Sequence, residues 1–236
     1  MGISDGDRAA IRAQFVRERG YWRAWTETLL QEHPAFVRAY AAYAGHPARH
    51  GPLSERLIEL IYVALDASAS HLFEPGLRAH MARALELGVQ PAELFDVLHL
   101  VAAQGLDGIT QAAAILAEEC GADVNEVGDD ALCALHALDP NYAGAVRAFL
   151  ALPSPGDGLS QAEKCLLRVA LAACFTAHHP RALRRHLREG LRLGLTPAEL
   201  LQAIQLGGHL AVHGTALGAQ VYAGLRHPAP AATDCP

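Results

Sequence analysis

The 236-residue chain has no uninterrupted apolar run near the roughly 20 residues that a membrane-spanning helix needs, so no membrane partner is expected. Its opening residues, MGISDGDRAA, lack the basic-then-apolar order of a signal peptide, and a cytoplasmic location is expected. The cysteines, Cys120, Cys133, Cys165, Cys174 and Cys235, are odd in number and form no C-x-x-C pair, which favours reduced thiols over a disulfide framework. Basic charge is scarce: the formal net charge is −6, which argues against a general nucleic-acid binder. Arg181, Arg184, Arg185, Arg188 and Arg192 form one local exception. No H-E-x-x-H metal motif occurs. Aromatic residues make up only 6% of a chain dominated by Ala and Leu, and that balance favours packed helices, an all-α fold.

What is present is a repeat. Leu77–Gly88, LRAHMARALELG, returns 106 residues later as Leu183–Gly194, LRRHLREGLRLG. Pairing 53–108 with 159–214 without a gap gives 19 identities in 56 positions. They fall at punctuation points: Ser54/Ser160, His80/His186, Gly88/Gly194, Pro91/Pro197 and Gly108/Gly214. Each half reads as a small helical unit whose apolar faces need a partner, so the chain is a duplicated helical bundle.

The domain reading follows: an N-terminal helical arm over 1–30, a first repeat over 31–120, a linker over 121–130, a second repeat over 131–225 and a loose tail over 226–236. Apolar spacing predicts a helix over 8–30, with Ile11, Phe15, Trp22, Trp25 and Leu29 on its stripe. A helix over 32–44 starts at His33-Pro34, and 46–52 reads as a Gly- and Pro-rich loop. Helices follow over 53–67, capped by Ser54, and over 75–87, stopped by Gly88. Residues 91–119 read as two helices broken near Gly105–Gly108.

Several residues are candidates for chemistry. His80 and His186 hold the same place in both halves, where imidazole is suited to proton transfer near neutrality. Glu59 lies on the preceding helix among apolar neighbours, placed to orient His80 or act as a base; its copy is Cys165. Arg78 and Arg184 precede each histidine by two and are suited to a substrate carboxylate. His209 and His213 share a helix face and, with His186, would line a polar substrate pocket. The same pair with His178 or His186 is the alternative metal site, but no carboxylate partner is evident and the expectation is no metal. Cys174, near His178 and His179, is a candidate nucleophile beside a purely structural reading.

These features resemble the carboxymuconolactone decarboxylase family, which also holds the alkylhydroperoxidase D-like proteins. The resemblance lies in the order Leu53, Glu59-Leu60, Arg78-x-His80, Ala84-Leu85, Gly88 and Pro91-x-Glu93-Leu94. It returns through Leu159, Arg184, His186, Gly194 and Pro197–Leu200, and covers about residues 30–118 and 136–224. The resemblance implies an all-helical fold assembling as a homo-oligomer, here a dimer or trimer of fused repeats. Peroxidase-type members carry a Cys-x-x-Cys pair before the histidine; Phe73 and Gly76 stand there, so a thiol peroxidase is disfavoured. The decarboxylase branch keeps a Glu and a His, matched by Glu59 and His80, and uses no cofactor. The resemblance therefore implies a cofactor-independent decarboxylase, or related lyase or isomerase, for a small carboxylated or carbonyl compound. The alternative is a non-catalytic ligand-binding or scaffold member, which fits the mismatch between the halves.

Overall fold

The computed structural model describes residues 3–124 and 131–226, so most of the expected linker and the tail lie outside the described residues. Among the described residues there is no strand. The helices are α1 (Asp5–Arg19), α2 (Ala24–Glu32), α3 (Pro34–His50), α4 (Glu55–Ala67), α5 (Glu74–Glu86), α6 (Pro91–Ala103) and α7 (Gly105–Glu119). The series continues with α8 (Cys133–Leu138), α9 (Pro140–Leu150), α10 (Gln161–Ala173), α11 (Pro180–Arg192), α12 (Pro197–Leu206) and α13 (Val212–Arg226). A short 3₁₀ turn, Gly208–Ala211, precedes α13.

Two sequence expectations change. The helix expected over 8–30 is two helices, because Gly20 adopts φ 76° and its N–H closes on the Val16 carbonyl at 2.8 Å. That left-handed residue ends α1 where the apolar spacing alone runs on. The helix expected to stop at Ala44 continues to His50 through Pro47. A proline inside a helix removes the donor to the carbonyl four residues back, here Tyr43, and Arg19 Nη1 donates to the neighbouring Ala44 carbonyl at 2.7 Å. The break expected near Gly105 is present at Gln104. Pro91–Glu119 as a whole has the length and hydropathy of a membrane span, yet it is this broken pair and carries Asp96 and Asp107.

The backbone repeats at the sequence spacing. α4 and α10, and α5 and α11, begin and end 106 residues apart. Leu72 at φ 47° is matched by His178 at φ 40°, and Gly88 at 86° by Gly194 at 85°. A left-handed non-glycine residue costs about 1–2 kcal/mol, so its recurrence marks a shared loop geometry before α5 and α11.

The chain forms two compact units that cut across the repeats: Met1–Gly51 with Gly208–Pro236, and Pro52–Gly207. In the first, α13 packs on α2, and Val212 and Ala219 close a core of Ile11, Phe15, Trp25, Leu30, Val37 and Tyr40. Phe15 meets Tyr21, Trp22 and Trp25 edge-on, with ring centroids 5.4, 5.3 and 6.1 Å away. In the second, α7 packs on α8, with Ala113 against Leu132 and Leu135.

The centre of the second unit is α4 against α10. Both are buried almost all round, Leu60, Ile61 and Val63 matching Leu166, Leu167 and Val169. Reciprocal hydrogen bonds hold the repeats in register. The Leu53 N–H donates to Gln202 Oε1 at 2.7 Å, and the Leu159 N–H, 106 residues on, to Asp96 Oδ2 at 2.8 Å. Asp96 also accepts from Ser154 Oγ and lies 3.1 Å from Lys164 Nζ. Burial pushes its carboxyl up, but the bonds from Ser154, Leu159 and Lys164 outweigh that and hold it below its usual range. Arg56 reaches across to Glu163 at 2.7 Å and also pairs with Glu93.

Candidate functional site

In α4, which is apolar beyond the charged Glu55 and Arg56 of its first turn, Glu59, Tyr62 and Asp66 are spaced three and four apart, so they share one helix face. That face meets α5. The His80 ring lies on Tyr62, centroids 4.5 Å apart and planes 34° apart. His80 Nδ1 and Glu59 Oε2 are 2.7 Å apart. With Glu59 ionised, Nδ1–H donates and the carboxylate accepts, which fixes the neutral tautomer and leaves Nε2 as the acceptor nitrogen. The Glu59 side chain is 14% exposed and that of His80 30%, so the carboxylate is enclosed while the imidazole keeps an opening.

Asp66 is the part of this face that the sequence reading missed. It is 1% exposed, and burial raises its pKa to about 7, with the charge of His80 pulling the other way. His71 Nε2 lies 3.6 Å from Oδ1, and burial pushes that imidazole down. The carboxylate occupies the space beside Gly76, where a Cβ would collide with Oδ2 and with Phe73. Any side chain at 76 must therefore displace Asp66. The available signal was the spacing: three polar residues on one stripe of an apolar helix.

Arg78, expected to hold a carboxylate, is turned to solvent. Its side chain is 80% exposed and bound to Glu74 at 2.6 and 2.9 Å. His209 and His213 belong to the compact unit that contains neither His80 nor His186; His209 is buried in the 3₁₀ turn, and His213 is in the first turn of α13. Cys174 is buried and reduced, with its Sγ 3.3 Å from Thr176 Oγ1.

His186 keeps the position of His80 in different company. Arg168 stands where Tyr62 stands in the first repeat, and Cys165 where Glu59 stands. The thiol donates to the His186 backbone carbonyl at 3.2 Å. Burial, then the charges of Arg185 and Arg168, pushes the His186 pKa down to about 3. The ring is neutral at physiological pH. It borders a cavity of about 410 Å³ with Arg168, Arg185, Leu100, Leu106 and Leu171. The duplicated histidine therefore has a carboxylate beside it in one repeat and guanidinium groups in the other.

Residues 34–119, which hold Glu59, Asp66 and His80, match the model of the carboxymuconolactone decarboxylase family. A solved structure from Burkholderia xenovorans LB400, described provisionally as a gamma-carboxymuconolactone decarboxylase subunit, is similar at 28% identity and a TM-score of 0.79. The match covers 93% of this chain and 98% of that one. A search of curated proteins gave no match.

Proposed function

We propose that this chain, a member of the carboxymuconolactone decarboxylase family, is a cofactor-independent decarboxylase or related lyase or isomerase acting through Glu59 and His80. The observation that carries the reading is the 2.7 Å contact between an enclosed carboxylate and a partly open imidazole. Glu59 orients the ring through Nδ1 and stabilises the imidazolium, while Nε2 gives or takes the substrate proton. For decarboxylation, the bond to the carboxyl carbon breaks and CO₂ leaves. Its electron pair runs into a conjugated carbonyl or lactone of the substrate. With the ring as the imidazolium, Nε2–H passes its proton to the carbon, leaving the neutral Nδ1–H tautomer that Glu59 holds, and a proton from solvent restores Nε2–H for the next turnover. The substrate class is a small carboxylated or carbonyl compound. A thiol peroxidase cycle is disfavoured, since Phe73 and Gly76 stand where its Cys-x-x-Cys pair would be, and Asp66 fills the space beside Gly76.

On a small carboxylated lactone that the wild type turns over, His80→Gln is expected to lower kcat by about 10²–10⁴-fold, the usual range for a positioned acid or base. Folding should be retained by circular dichroism. Glu59→Gln should lower kcat less. Undiminished turnover by His80→Gln would remove the histidine from the mechanism.

A further inference from the structure

We infer that the cavity among α6, α7, α10 and α11 binds a small apolar monocarboxylate, with Arg168 as its charged anchor. This site is separate from the Glu59–His80 pair and does not rest on it.

Arg185 is held by Asp107 at 2.9 Å, and Arg192 by Glu189 at 2.6 Å. All four residues line the cavity, and the two pairs cancel. Arg168 lines it too, and among the described residues it makes no hydrogen bond or ion pair. Glu189 and Asp107 act on it through space, but each is bonded to its own arginine, and Cys165 and His186 supply no anion. Burial pushes the Cys165 thiol up, so it stays protonated, and His186 is neutral. The guanidinium keeps its charge across the physiological range. Among the described residues one guanidinium without a bonded counter-ion thus faces a partly enclosed space, an arrangement that an anion stabilises and an empty cavity does not.

The cavity selects the kind of anion. Its volume, about 410 Å³, lies in the range of small-molecule sites. Leu100, Leu106, Leu150 and Leu171 supply apolar wall, which suits a hydrocarbon body. A planar guanidinium fork matches a carboxylate through two parallel N–H···O bonds. One uncompensated positive charge fits one negative charge; a phosphate dianion would leave an excess charge in an apolar enclosure. The neutral His186 ring adds one donor and one acceptor for a further polar group.

The test uses the full-length protein and sodium benzoate, followed by titration calorimetry at pH 7.5. Benzamide serves as the neutral isostere and inorganic phosphate as the competing anion. The expected result is one saturable benzoate site per chain, with benzamide weaker by about tenfold or more, the loss typical of a charge-assisted pair. Arg168→Met should weaken benzoate by about the same factor. Ala103→Phe fills the cavity without removing charge; it should also abolish binding, and it keeps the test decisive if Arg168→Met does not fold. His80→Gln and Glu59→Gln should bind benzoate like the wild type. No benzoate binding by the wild type, or equal binding by a folded Arg168→Met, overturns the site. Tighter binding of phosphate than of benzoate overturns the ligand class. Loss of benzoate in His80→Gln with Arg168→Met unaffected moves the carboxylate to the other histidine, and leaves the acid–base reading standing.

Discussion

Asp66 shows how one buried side chain couples a site to stability. Its folded pKa, about 7, lies above the 3.8 of an unperturbed aspartate, so the folded state holds a proton that the unfolded state releases. Between these values unfolding liberates protons, and stability falls as pH rises. The loss begins near pH 4, is complete above about pH 7, and amounts to on the order of 4 kcal/mol at most. Asp66→Asn fits the same space and has no charge to release. It is expected to unfold at higher denaturant than the wild type at pH 8 and at a similar concentration at pH 4. Parallel curves at both pH values would show that His71 and His80 already neutralise the carboxylate. Little of this was legible beforehand. Glu59 and His80 were readable as a pair because the repeat isolated the histidine and an apolar helix isolated the glutamate. Asp66 sits on the same stripe, but nothing in one dimension shows that α5 brings a glycine against it. Arg78 failed for the converse reason: two residues from His80 on a helix is another face, and Glu74 one turn back holds it in solvent.

The helices were legible where caps and periodicity agree and illegible where a backbone device intervenes. Ser54, Ser160 and Thr196 each accept a backbone N–H at the start of a helix, as their sequence pattern requires. Gly20 interrupts an apolar stripe that continues on both sides, and Pro47 fails to stop a helix whose turn Arg19 supports. One buried bond between the repeats gathers three donors on a single side chain. Asp96 joins Leu159, Ser154 and Lys164 at one buried point. Asp96→Ala would leave an ammonium and an amide without their acceptor, at a cost of about 3–5 kcal/mol. Urea unfolding should show this as a lower midpoint with an unchanged slope. A loss below about 1 kcal/mol would mean that water replaces the carboxylate. Gln202, its counterpart, makes the same bond without a charge, so the two repeats differ in pH response at otherwise matching positions.

At the scale of the molecule, apolar surface remains. Phe95 is 61% exposed on α6, and Ile115 and Leu116 on α7 are 52% and 57% exposed. Exposed large apolar side chains are candidates for an association surface, and a homo-oligomer is the proposed state. Light scattering during gel filtration is expected to give a multiple of the 25.1 kDa chain, and Phe95→Glu to move the mass toward one chain. A wild type at 25.1 kDa would refute the proposal. The duplication was visible from 19 identities; the exchange of helices was not, since a repeat in sequence does not say which copies pack together.

That exchange has a consequence for the order in which the protein is made. The core around Phe15 is closed by Val212 and Ala219, residues separated from it by nearly the whole chain. α1, α2 and α3 are synthesised first and pack on one another, yet the face that Val212 and Ala219 cover stays open until α13 follows. The N-terminal unit therefore finishes folding last, after the 52–207 unit has had every residue it needs. During that interval the aromatic cluster of Phe15, Trp22 and Trp25 is the surface through which a newborn chain would associate with others or with a chaperone.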